Sequence, residues 1–243
     1  RVICPQVNEL RYHLTLLRLA SEQICVAPES KVAEKDLKYF WHNTVSSYEF
    51  LVANPLGALR ADMDRLSMEI YFWPGFNRFA LNSEILRAAA DGEAYKMPAL
   101  TPARKGLAAV ERLIYNPQMQ LEPGLTGELK PEELAFNSLP EIERKVARCA
   151  VLRALLQDVA GHTEELFSNW SALDKQYPRD LLNRMEAGQT RAVLNEMSDG
   201  LFYMEKIKDF KLGLPLGLND RCGKDKCPEL VEHVLSDAGV QAL

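Results

Sequence analysis

Between Ser138 and Trp170 apolar residues return every three or four positions: Ile142, Val146, Cys149, Leu152, Leu156, Val159, Leu166 and Trp170, with Thr163 in the same row. That period, held over such a length, predicts one helix of about 45 Å carrying a single apolar stripe. Pro140, placed in the first turn after Asn137 and Ser138, suits its start. A helix this long cannot bury its stripe alone. It needs partners of similar length, and the simplest arrangement that supplies them is a helical bundle.

The same period recurs elsewhere. Val7, Leu10, Leu14, Leu17 and Ile24 mark one face of a helix over 6–25, which the run Val26-Ala27-Pro28-Glu29-Ser30 ends. A second helix is expected over 31–52, where Tyr39, Phe40, Trp41, Tyr48 and Phe50 supply bulky apolar surface. Asn54-Pro55 and Trp73-Pro74-Gly75 break the chain on either side of a short helix over 57–70. Further helices are expected over 83–91, 101–116, 178–187 and 189–210, with a break at Lys211-Leu-Gly-Leu-Pro-Leu-Gly217. No stretch alternates as a half-buried strand does. The fold class is therefore all α. Pro117 to Pro131 lacks a sustained period and reads as a linker, dividing an N-terminal bundle (1–120) from a C-terminal one (126–243).

Charge and cysteine usage narrow the function classes. A net charge of −5 gives no footprint for nucleic acid, and no run of 18 apolar residues is present to make a membrane-spanning helix. The chain opens Arg1-Val-Ile-Cys4 without Met or a charged-then-apolar leader, which reads as a mature form with its signal peptide removed. Of five cysteines, Cys222 and Cys227 bracket a short polar loop that a disulfide closes easily, and such a bond favours an oxidising compartment. Cys149, in the apolar stripe, reads as a buried, inert thiol. The motifs of zincins, serine hydrolases, phosphate-binding loops and dinucleotide-binding folds are all missing.

The segment Lys105-Gly-Leu-Ala-Ala-Val-Glu-Arg-Leu-Ile-Tyr-Asn116 carries a resemblance, and others support it in order and spacing. These are Phe40-Trp41 followed by Ser46-Ser-Tyr-Glu-Phe50, then Met68-Glu-Ile-Tyr-Phe-Trp-Pro-Gly-Phe76, then Lys211 to Gly217, then Cys227-Pro-Glu-Leu-Val-Glu-His-Val-Leu-Ser236. Together they resemble the imelysin-like family of bacterial envelope proteins, which includes an insulin-cleaving outer-membrane protease and iron-regulated proteins. The resemblance implies two bundle-like halves, export to the periplasm or outer membrane, and a Gly-x-His-x-x-Glu signature helix. Family members typically run further after the segment matching Val231-Glu232.

In this chain the signature is degenerate, because Ala108 stands where the family has histidine. At about 100° per residue, Leu107, Val110 and Ile114 define the core face of the helix, with Glu111 on its flank beside Arg104, Ala108 and Tyr115. Imidazole and carboxylate three residues apart would share a metal, and the carboxylate would serve as general base to a bound water. Alanine does neither. Rescue would need His13, His42, His162 or His233; otherwise Glu111 pairs with Arg104, Arg112 or another basic group. The order His162-Thr-Glu-Glu165 is the reverse of a diiron Glu-x-x-His, so His162 reads as a solvated flank of the long helix.

The resemblance also implies that Trp41, Glu49, Glu69 and Trp73 lie beside Arg104, Ala108, Glu111 and Tyr115 as a ligand pocket. Aromatic walls with acids suit a small cationic or metal-bearing ligand. The expectation is a binding or interaction module for a small ligand or envelope protein, linked to iron or metal uptake. No cofactor is expected; a divalent metal or iron is left open, with Glu111 as its candidate ligand. The competing expectation is an active metallopeptidase with a relocated histidine.

Overall fold

The computed structural model describes residues 3–52, 66–72, 76–77, 79–92, 96–124, 127–171, 177–195, 198, 207–218, 220 and 223, and every statement on structure concerns these. Among them there is no strand, and no helix is long and apolar enough to cross a membrane. Helix α1 (Ile3–Val26) turns through residues 27–30 into α2 (Lys31–Val52), whose N-cap hydroxyl on Ser30 accepts the Ala33 N–H at 3.2 Å. Then come α3 (Met68–Ile70), α4 (Ala80–Asp91), α5 (Gly106–Tyr115), α6 (Pro131–Asn137), α7 (Glu141–Ser171), α8 (Tyr177–Glu186) and a π-helical segment, Ile207–Gly213. In that last segment the Leu214 N–H reaches back five residues to Asp209, carrying helical structure through the expected break at Lys211.

The axis of the molecule is the α1–α7 pair. Arg11 meets Glu164 at 2.7 Å, Arg18 meets Gln157 at 2.7 Å, Arg153 meets Glu22 at 2.8 Å, and Cys25 is bonded to Cys149. From Arg11 to Glu22 each step up α1 matches an equal step down α7, and the disulfide follows within one residue of that register, so the two are antiparallel. Under these polar rungs, Leu10, Leu14 and Leu17 are buried with Leu152, Leu156, Val159 and Leu166. The remaining faces of α7 are covered by α3, α4 and α5, so one apolar cluster extends from Val7 to Leu166.

Two expectations are corrected here. The stripe on α7 holds from Cys149 to Leu166, but Ile142 and Val146 are exposed. The first turns bury Arg144, Lys145 and Arg148 in their place. Arg144 explains why: its guanidinium satisfies the carbonyl oxygens of Gln118 (2.9 Å), Asn137 (3.2 Å) and Leu139, closing off loops that helix periodicity does not see. Cys149 is no free thiol; it forms the disulfide with Cys25, 124 residues away, at a Cα separation of 5.6 Å. The expected Cys222–Cys227 bond lies outside the described residues.

The segment read as a linker carries tertiary contacts of its own. Residues 117–124 are fastened down: Asn137 donates to the Leu121 carbonyl at 2.9 Å and accepts its N–H at 2.7 Å, while Met119 and Leu121 are buried. Asn82, itself buried, donates to the Glu122 carbonyl at 3.1 Å and to Glu133 at 2.9 Å, tying α4 to α6. The long helix that periodicity assigns to a second bundle thus packs on α1, α4 and α5.

Candidate functional site

Local geometry at the start of α5 places the site. Pro102–Arg104 form a 3-10 turn, Lys105 is extended (φ −144°), and the helix begins only at Gly106, five residues later than its apolar pattern suggests. Gly106 adopts φ +76°, and a Cβ there would lie 2.7 Å from the Ile70 carbonyl oxygen and 3.1 Å from that of Glu69. Absence of a side chain lets the head of α5 sit against the end of α3. That brings Lys105 and Glu69 together.

Lys105 Nζ is 2.5 Å from Glu69 Oε2 and 3.1 Å from Asp158 Oδ2. Its side chain is only 1 % exposed, and that of Asp158 4 %; burial of charge to this degree is costly unless opposite charges meet it. Glu69 Oε2 and Asp158 Oδ2 are both shielded from solvent, and the Lys105 ammonium is the cation that meets them. One turn beyond Asp158 on α7, His162 Nε2 is 3.6 Å from Glu69 Oε2 and 3.7 Å from Asp158 Oδ2, buried and without a hydrogen bond. Its Nδ1 faces Glu165 at 3.9 Å. His162 is therefore an inward-facing group and not a solvated flank. The sequence gives its helical phase only; that α3 and Lys105 cover this side of α7 is tertiary information.

Arg104 binds Glu84 at 2.9 Å and Ser83 at 2.8 Å; Arg112 binds Glu122 at 2.6 Å. Tyr115 shares a 3.1 Å hydrogen bond with His42 Nε2, and Lys38 stands over its ring. Glu49 pairs with Lys211, Trp41 is buried in the core, and Trp73 lies outside the described residues, as does His233. Ala108 and Glu111 are both buried, as is every residue of α5 up to Ile114.

On α5 the Glu111 carboxylate is buried, and the methyl of Ala108 three residues before it has no lone pair to give a metal. A catalytic zinc needs about three protein ligands. The residues on α5 do not fit that group. A surface groove between α1 and α7 has its arginines engaged, Arg18 with Gln157 and Arg153 with Glu22.

Comparison with known proteins places the fold. No curated protein matches the chain. Among solved structures, an imelysin-like protein from Psychrobacter arcticum aligns with a TM-score of 0.58 at 17 % identity, covering 99 % of this chain and 67 % of that one. The family profile for Imelysin, a peptidase family, matches residues 14–243. The all-helical architecture, the neighbour of like fold and a family match over nearly the whole sequence agree: this chain belongs to the imelysin family.

Proposed function

We propose that this protein is an imelysin-family member without the hydrolytic chemistry of the signature helix, acting as a binding or interaction module of the bacterial envelope. The observation that carries this is Ala108, buried on α5 beside an equally buried Glu111. Its ligand is a small cationic or metal-bearing molecule or an envelope protein, in the service of iron or metal uptake, as the family's iron-regulated members suggest. The Cys25–Cys149 bond supports an exported, oxidising location in the periplasm or at the outer membrane.

The rival reading, a metallopeptidase with a relocated histidine, draws on the approach of His162 to Glu69 and Asp158. These are not Glu111. The test is incubation of the purified protein with an unstructured polypeptide, with and without chelator, beside Glu111→Gln. The proposal predicts no cleavage in any arm. Cleavage that disappears both with chelator and in Glu111→Gln would refute it.

A further inference from the structure

We propose that Glu69, Asp158 and His162 form a binding site for a divalent transition metal of the zinc class, and that Lys105 is the counter-cation holding this place in the metal-free protein. The inference deepens the binding reading by naming its ligand class, and rests on that reading only for biological use, not for binding itself.

Each of the three side chains turns one donor atom inward, and these atoms lie within 4.8 Å of one another. The imidazole-to-carboxylate separations of 3.6 and 3.7 Å are close to the edge of about 3.4 Å expected between ligands of a tetrahedral ion with bonds near 2.1 Å. One imidazole with two carboxylates is a donor set for zinc-class ions; magnesium and calcium prefer oxygen alone.

Two further observations point to a cation. The Asp158 side chain is 4 % exposed, and its inward oxygen is met by the Lys105 ammonium at 3.1 Å, so a cation already holds this place. His162 Nε2 is unbonded and aimed at both carboxylates, while Nδ1 faces the Glu165 carboxylate, the side on which metal-binding histidines are commonly held by an acid. The charge count agrees. Two carboxylates, that of Asp158 buried and that of Glu69 half-buried, face one ammonium, and a dication in place of that ammonium balances them fully. Lys105 and the metal compete for the same two oxygens, so the ammonium must withdraw before the ion enters.

Competition of this kind has a signature that an ordinary acidic surface lacks, and calorimetric titration with zinc chloride alone reads it. Wild type should bind one zinc ion at this site, and Glu69→Gln and His162→Gln should each weaken it by roughly tenfold or more. Lys105→Met should bind roughly tenfold more tightly, because no ammonium has to leave, and zinc should raise its melting temperature more than that of wild type. If Lys105→Met does not fold, Glu69→Gln, which removes only one of the two charges that Lys105 offsets, decides with His162→Gln. No zinc binding by wild type, or binding unchanged in both of these variants, overturns the proposal; so does a folded Lys105→Met that binds no tighter. Peptide cleavage is a separate readout, so failure here is distinguishable from failure of the functional reading.

Discussion

Gly106 stands so close to Ile70 that a single added carbon would sit 2.7 Å from the Ile70 carbonyl oxygen, at a backbone angle of φ +76° that side chains disfavour. Both terms oppose Gly106→Ala. The variant should lose on the order of 3 kcal/mol by chemical denaturation. Gly161→Ala is the control: nothing lies within 4 Å of its added carbon in the middle of α7, so it should gain about 0.5–1 kcal/mol. Equal effects would show that Gly106 is not held against α3.

The Cys25–Cys149 bond closes a loop spanning 124 residues between the end of α1 and the start of α7. Constraining so long a loop should contribute about 3 kcal/mol, so Cys25→Ala with Cys149→Ala should lower the melting temperature by roughly 10 °C. A reductant should lower the melting temperature of wild type by at least that much, and that of the double variant by less.

Arg148 is 5 % exposed, and its Nε and Nη2 have no hydrogen-bond partner. Burial pushes its guanidinium down to about 10, against the opposing charge of Glu34, so it is still charged at neutral pH. An arginine buried in this state opposes folding. Arg148→Met should therefore stabilise the protein by about 1–3 kcal/mol at pH 7, read from denaturant midpoints. Destabilisation would mean that the guanidinium is satisfied in solution.

Glu34 shows the opposite sign. The hydrogen bond from Lys38 at 2.8 Å holds its carboxyl below the usual 4.5, opposed by burial and helped by Lys31 at 3.2 Å. A carboxyl lowered in the folded state stabilises above its ordinary value, and the benefit is lost as pH falls through the folded one. Because Lys31 is exposed and Lys38 partly so, Glu34→Gln should cost only about 0.5 kcal/mol at pH 7. That difference should vanish in melts well below pH 4.5.

Helix periodicity made most of this fold legible. The expected bounds of α1 and α2 lie within three residues of those observed, and the stripe from Cys149 to Leu166 is buried as its spacing requires. What periodicity cannot register is satisfaction of polar groups by distant partners. Arg144 closes three carbonyls and displaces Ile142 and Val146 from the interior, and Asn137 fastens Leu121 in a segment that looks like a linker. The site divides in the same way. Ala108 and Glu111 read in the sequence as a signature with a missing ligand, and Glu69 as an expected neighbour. His162 was visible only as a residue on a helix, because Lys105 and Glu69 reach it through the contact of Gly106 with α3.

The central claim is that whatever cation chemistry this imelysin relative retains has left α5 for the junction of α3 and α7. Anomalous scattering from crystals equilibrated with zinc tests it directly. The account predicts a peak among Glu69, Asp158 and His162, lost in His162→Gln, and none at Glu111. A peak coordinated by Glu111 in the unaltered protein, or zinc that ignores the His162 substitution, would contradict it.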